Sequence, residues 1–151
     1  MSNKKPIVKF IKIHSEAKIP KYETVGAAGM DLSICEPVEL LPGERKLVST
    51  GLKIKIEDGF EGQVRPRSGN ASKKGITVLN SPGTLDFDYT GPLMVILYNT
   101  SKEVVTFSGG DRIAQLVISP VVQADCVEVD TFDVVTERGE GGFGSTDNKK
   151  G

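Results

Sequence analysis

Apolar and polar positions alternate with a period of two through several stretches of this chain. Leu52, Ile54 and Ile56 are interleaved with Lys53 and Lys55, and Val127 and Val129 with Glu128 and Asp130. Successive side chains of an extended strand point to opposite faces, so each run predicts a half-buried strand with a solvated outer side. Pro92–Tyr98 is nearly all apolar and predicts a strand covered on both faces. Ile7–Ile13, Val104–Phe107 and Ile113–Ile118 complete the set of strands. Turn chemistry stands between them, at Pro42-Gly43, Asp58-Gly59, Ser81-Pro82-Gly83, Gly91-Pro92 and Ser108-Gly109-Gly110. Only Ala71–Lys74, just ahead of Gly75, reads as helix. Many short strands broken at regular intervals predict an all-β fold, a sandwich or jelly-roll-like barrel.

Composition supports the pattern. The 17 glycines and 8 prolines among 151 residues interrupt the chain too often for a helical bundle. With 19 Lys+Arg against 20 Asp+Glu the net charge is -1, which argues against a nucleic-acid partner, because phosphate contacts need a basic surface. Apolar runs such as Leu93–Tyr98 are too short to span a bilayer, so no membrane partner is expected. Met1–Ile11 alternates lysines with apolar residues and never builds the apolar core of a signal peptide. Cys35 and Cys126 have no His or Cys neighbour at metal-ligand spacing and read as free thiols. The expected compartment is the cytoplasm, or the nucleus for a eukaryotic or viral source.

At Arg138 the chain changes character, reading Arg-Gly-Glu-Gly-Gly-Phe-Gly-Ser-Thr and then Asp-Asn-Lys-Lys-Gly. So much glycine cannot make a strand, and residues 138–151 are expected to form an arm, mobile by itself, attached to a domain spanning 1–137. On composition alone this is a disordered tail. The arginine, phenylalanine and two hydroxyls within it suit an arm that folds over a ligand.

Two segments carry candidate chemistry. Val64–Asn70 places Arg65, Arg67, Ser68 and the Gly69 amide in a tight loop, and guanidinium forks match phosphate oxygens. A solvated basic turn would read the same way. Asn80–Gly91 sets a Ser-Pro-Gly turn between an amide and Asp86, with Asp88 and Tyr89 close behind. In an extended segment Asp86 and Asp88 would share one face, with Tyr89 on the other unless the strand bends. His14 is the only histidine and has no nucleophile nearby in sequence, so it reads as a surface group. Chemistry here must rest on carboxylates, basic groups and an external metal.

Five short motifs then appear in a fixed order: Ala27–Leu32, Arg65–Gly69, Gly83–Gly91, Gly110–Leu116 and Arg138–Thr146. In this order and at these intervals the chain resembles the trimeric deoxyuridine triphosphatases (dUTPases) over nearly its whole length. The resemblance implies a β jelly roll assembling as a homotrimer. It also implies hydrolysis of dUTP to dUMP and pyrophosphate with Mg2+ on the triphosphate, keeping uracil out of DNA and supplying dUMP for dTMP synthesis. Each site would draw the first, second and fourth motifs from one chain, the third from another, and the arm from the last. Asp86 is then the base that activates water, near the 3′-hydroxyl. Asn80, Gly83, Leu85 and the turn between them would read uracil, and Tyr89 would face the deoxyribose. Arg67, Ser68, Gly69 and Gln115 would hold phosphates. Arg138, Gly144, Ser145 and Thr146 would close on the γ-phosphate, and Phe143 would stack on the base. Asp31 is expected outside the metal's direct ligands, acting through water or by orienting Arg67. Asn70 departs from the family, where many relatives are apolar, and so does Asp147, where many carry glycine. Two rivals are a dCTP deaminase-related enzyme of the same fold and a nucleotide-dependent regulatory binding protein.

Overall fold

A computed structural model describes residues 4–147 of the chain. The first three residues of the leader reading, and the end of the expected arm at 148–151, lie outside the described residues.

The longest strand shows how local chemistry shapes the whole. It spans Arg45–Ile56, and its pairing with a neighbouring strand shifts register between Ser49 and Lys53, around Gly51, whose φ of 72° suits glycine. A Cβ at Gly51 would stand 2.7 Å from that of His14, so the close approach also requires glycine. Ahead of this strand Pro42 and Gly43 (φ 75°) turn the chain, and the Glu44 N–H donates to the Leu41 carbonyl at 3.0 Å. The Leu41 amide, with Lys46 beside it, holds the Glu44 carboxyl below its ordinary range.

In chain order the elements are β1 (Val8–Lys12), β2 (Gly29–Ser33), β3 (Val38–Leu40), β4 (Arg45–Ile56), β5 (Phe60–Arg65), α1 (Ser68–Lys74), β6 (Ile76–Val78), β7 (Gly83–Leu85), β8 (Pro92–Asn99), β9 (Val105–Phe107) and β10 (Arg112–Pro120). They form two four-stranded sheets, ordered β1-β4-β8-β6 and β2-β10-β5-β7, and a small β3-β9 pair, all antiparallel. The fold is all-β, as expected. Leu32, Leu40, Leu93, Leu97 and Leu116 are wholly buried in one core cluster that draws on all three sheets. No helix of the described residues is long and apolar enough to cross a membrane.

Four sequence expectations need correction. Val127–Asp130 forms no strand, and Val127 and Val129 stand exposed. Alternation makes a strand only where a sheet edge pairs with it, and among the described residues none pairs with this segment. β8 is not covered on both faces: Leu93, Val95 and Leu97 are buried while Met94, Ile96 and Tyr98 are half-buried. β1 is Val8–Lys12, shorter than Ile7–Ile13. The helix begins at Ser68, so Ser68, Gly69 and Asn70 are its first turn and not part of a loop. Gly75 ends it in the left-handed region, its N–H bonded to the Ala71 carbonyl at 3.1 Å.

Candidate active site

Asp31, Gln115 and Arg65 lie in one row across β2, β10 and β5, since Gln115 is the register partner of both others. Arg112 and Gln115 are three positions apart and would normally face opposite sides of β10. The β2–β10 register shifts between Arg112 and Ala114, and Ile113 and Ala114 are both buried in succession. This bulge turns Arg112 to the face that Asp31 occupies. The Asp31 carboxylate accepts from Arg67 Nε at 2.9 Å and lies 3.5 Å from Arg112 Nη1. Arg112 Nη2 is in turn 3.4 Å from Glu23 Oε1.

Gln115 donates from Nε2 to the Pro66 carbonyl at 2.9 Å, so its amide lies against the start of the Arg67 loop. It does so across Gly29, where any Cβ would run into the Gln115 amide. Arg67 keeps extended backbone (φ -91°, ψ 133°) immediately before α1, and the exposed residues Ser68 and Gly69 follow it. Asp31, Arg67, Ser68, Gly69 and Gln115 therefore converge on one basic, donor-rich edge suited to anionic oxygens.

A second group lies on the β6–β8 connection. The Ser81–Pro82 peptide is cis, and the chain enters β7 paired to β5 through Val64 opposite Gly83. Asn80 folds over Gly83, where a Cβ would lie 3.2 Å from Asn80 Nδ2. After Leu85 the strand stops and the chain bends, with Tyr89 N–H donating to the Asp86 carbonyl at 3.2 Å. An extended arrangement with Asp86 and Asp88 on one face is therefore not what forms. Tyr89 lies across Gly91 and donates its hydroxyl to the Pro92 carbonyl at 2.6 Å. Asp86 is exposed and lines a cavity of about 490 Å3 with Asp58, Phe60, Glu61, Phe87 and Asp88. That cavity includes no residue of the Asp31–Arg67 group.

The third group is the arm. Turns close at Gly141 N–H to the Arg138 carbonyl (3.1 Å) and Asp147 N–H to the Gly144 carbonyl (2.9 Å). Arg138 Nε donates to the Gly141 carbonyl at 2.7 Å, and the Phe143 ring is fully exposed with a left-handed φ of 50°. Ser145 and Thr146 are exposed too. The first two groups adjoin through the β5–β7 ladder, where Val64 stands opposite Gly83, while the arm's described hydrogen bonds close within residues 136–147.

The dUTPase family pattern matches residues 15–147. The chain belongs to the dUTPase family. It is 55% identical over 139 residues to the deoxyuridine 5'-triphosphate nucleotidohydrolase of Nautilia profundicola, covering 92% of this chain and 97% of that one. It is 57% identical over 129 residues to the enzyme of that name from an Anaeromyxobacter species, covering 85% and 87%. Among solved structures, a dUTPase of Staphylococcus bacteriophage 80alpha with dUpNHpp superposes at a TM-score of 0.86, with 26% identity, covering 93% of this chain and 98% of that one.

Sequence reasoning missed three residues that the dUTPase fold here puts to use. Gly29 makes room for Gln115, and Arg112 shares Asp31 with Arg67. Asn70, a departure from the family, is buried and donates from Nδ2 to the Arg112 carbonyl at 3.0 Å, tying α1 to β10. The departure itself, an amide where many relatives are apolar, was the available signal for Asn70. Nothing in the alternation of residues marks the bulge that brings Arg112 round. The other departure, Asp147, sets its carboxylate beside Gly144, where a Cβ would stand 2.9 Å from Asp147 Oδ2. Cys35 is buried and Cys126 exposed, both as free thiols. His14 accepts the Glu16 N–H at Nδ1 (3.1 Å), leaving Nε2 to donate to Glu36 Oε1 at 3.2 Å, a surface role.

Proposed function

We infer that this chain is a dUTP diphosphatase, releasing dUMP and pyrophosphate. The observation that carries the reading, in a chain of this family, is the Asp86–Tyr89 turn. It presents an exposed carboxylate at the end of a sheet-anchored strand, beside a tyrosine held at both its N–H and its hydroxyl. Asp86 holds a water and takes its proton as the oxygen attacks the α-phosphorus, and the bridge to the β-phosphate breaks in line. The same carboxylate stands near the 3′-hydroxyl.

Asn80 and the backbone from Ser81 to Leu85, Gly83 included, offer the complement of uracil's N3–H and two carbonyls. Cytosine's amine would leave these groups unpaired, which is a strong ground for rejection. Tyr89 blocks the place of a ribose 2′-hydroxyl at no cost to the correct substrate. Arg67, Ser68, the Gly69 amide and Gln115 hold phosphate oxygens. The arm, residues 138–151 beyond a domain of 1–137, closes with Arg138, Gly144, Ser145 and Thr146 on the γ-phosphate and Phe143 on the base.

Mg2+ fits this arrangement as a partner of the triphosphate. Among the described residues no cluster of three or more His, Cys, Asp or Glu could hold a metal, and Asp31 is already engaged by two arginines. Bound to phosphate oxygens, the ion would neutralise charge there, with Asp31 outside its direct ligands.

A homotrimer with shared sites gives the arm, whose described hydrogen bonds stay within itself, a neighbouring chain to close upon. It also gives an occupant to apolar surface left open, as at Leu47, which is 63% exposed opposite Ile96 on the outer face of β4 and β8. The exposed valines of 121–135 suit burial against a neighbouring chain. The deaminase and regulatory readings are not favoured, since the curated relatives bear the name nucleotidohydrolase.

The decisive test is pyrophosphate release from dUTP with and without Mg2+, with Asp86→Asn as control. Turnover in that variant should fall at least about 1,000-fold while nucleotide binding persists, as for loss of a water-activating base. Turnover near that of the unmodified chain would overturn the assignment.

A further inference from the structure

We propose that Lys55 is a positioning residue for the Asp86–Tyr89 turn and, through it, helps set the discrimination between deoxyribose and ribose; this rests on the reading of Asp86 and Tyr89 given above. By sequence pattern Lys55 is an outer-face lysine of an alternating strand, no different from Lys53. The structure distinguishes them. The Lys55 ammonium donates to the Phe87 carbonyl, at the middle of the turn, and stands 5.0 Å over the Phe87 ring.

The root of this side chain is rigid. β4 is paired to β1 through Lys55 and Lys9 and is joined to the start of β8 by Lys53 opposite Pro92. The buried Ile54 between them receives a further tie, its N–H donating to the Gly91 carbonyl at 3.3 Å. The turn itself is weakly built: Asp86, Phe87 and Asp88 are all exposed. An ammonium delivered from a fixed strand onto its central carbonyl is thus a strut between sheet and turn.

The placement of charge points the same way. Lys55 faces Lys9 directly across the β1–β4 ladder, and like charges so placed repel. Drawing the Lys55 head towards Phe87 relieves this. At its destination Asp86, Asp88, Asp58 and Glu61 line one cavity together with Phe87, so a cation on the Phe87 ring offsets a concentration of carboxylates. Phe87 thus touches both, with the Lys55 ammonium over its ring and its side chain among those lining the Asp86 cavity.

The consequence for selectivity runs through one hydrogen bond. The Asp86 carbonyl accepts from the Tyr89 N–H, so slack at Phe87 moves Tyr89 as well as Asp86. A blocked 2′-hydroxyl depends on the ring staying in place, and a shift of about 1 Å suffices to weaken such an arrangement.

The experiment is steady-state kinetics of the full chain on dUTP and UTP for Lys55→Met, Lys55→Arg and Lys53→Met, with thermal melts alongside. Lys55→Met keeps the stem and loses the charge and donors. Its kcat on dUTP should fall about 5–10-fold with KM changed less than about twofold, and the dUTP-to-UTP ratio of kcat/KM should fall about tenfold. Lys55→Arg, which keeps cation and donor, should stay within about twofold of the unmodified chain. Lys53→Met removes the same charge from the same face and should change nothing. Should Lys55→Met fold poorly, Lys55→Gln is read by the same ratio. An unchanged ratio in the charge-free variants overturns the proposal, even where both rates drop together, because fewer folded molecules lower both rates equally. The unmodified chain and Asp86→Asn are assayed in parallel. A failure there overturns the site reading itself, whereas normal behaviour there with an unchanged Lys55→Met overturns only the role of Lys55.

Discussion

Asp31 accepts a hydrogen bond from Arg67 Nε at 2.9 Å across 36 positions of sequence, with both side chains about a quarter to a third exposed. Arg112 approaches the same carboxylate at 3.5 Å, so a single acid holds two guanidiniums in register beside the start of α1. Without that acid, the two cations repel and Arg67 loses its direction. Asp31→Ala should therefore raise KM for dUTP about tenfold while costing only about 1 kcal/mol in stability, the range of partly solvated ion pairs. Kinetics and a thermal melt on the same preparation check the split; an unchanged KM would mean that Arg67 needs no orienting partner.

Gly29 offers a sharper probe of Gln115, because it acts without touching the glutamine's chemistry. A Cβ at position 29 would meet the flexible end of Gln115, with Cδ at 3.1 Å, and would push the amide off its place above Pro66. The backbone there is ordinary strand, so the fold should tolerate alanine. Gly29→Ala should raise KM for dUTP about fivefold with a melting temperature within a few degrees of the unmodified chain, in keeping with loss of one phosphate donor. Equal KM in Gly29→Ala and the unmodified chain would remove Gln115 from the phosphate site.

At Gly91 the neighbour is rigid. A Cβ would stand 2.6 Å from the Tyr89 hydroxyl oxygen and 2.7 Å from Cζ, and the ring has no room to stay where it lies. Gly91→Ala should break the hydroxyl bond to Pro92 and lower the preference for dUTP over UTP by at least about tenfold. Rates on dUTP, UTP, dCTP and dTTP measure this. The unmodified chain should favour dUTP over all three others, and comparable efficiencies would refute the proposed base and sugar readout.

The arm makes its hydrogen bonds to itself. Its described turns close within residues 136–147, and Phe143 is fully exposed. A chain ending at Glu137 should keep its oligomeric state, by light scattering, and lose dUTP turnover by at least about 100-fold, since closure excludes water and completes the phosphate contacts. Normal turnover in the shortened chain would end the lid assignment.

Much of this protein is legible along the chain. Leu52, Ile54 and Ile56 are buried as the alternation requires, Gly43 turns the chain between β3 and β4, and Gly75 ends α1, both glycines at positive φ. The five motifs carry the family and mark the candidate site groups, because short-range chemistry such as a turn, a glycine-rich arm or a pair of guanidiniums needs few neighbours to be recognised. Alternation misleads at Val127–Asp130, where the pattern of a strand goes unpaired.

What only tertiary structure decides is which distant groups share a face. The β10 bulge buries Ile113 and Ala114 in succession and so brings Arg112 beside Asp31. The bend after Leu85 draws Tyr89 back to Asp86, and sheet order lets Lys55 reach Phe87 from 32 positions away. One-residue changes of register invert a side chain's face, and no local pattern encodes them. Sequence alone thus marks β1, β4, β8, β9 and β10, the turns and the chemical groups available, but not β2, β3, β5, β6 and β7. Register and packing determine which of those groups meet, because they depend on neighbours far away in the chain.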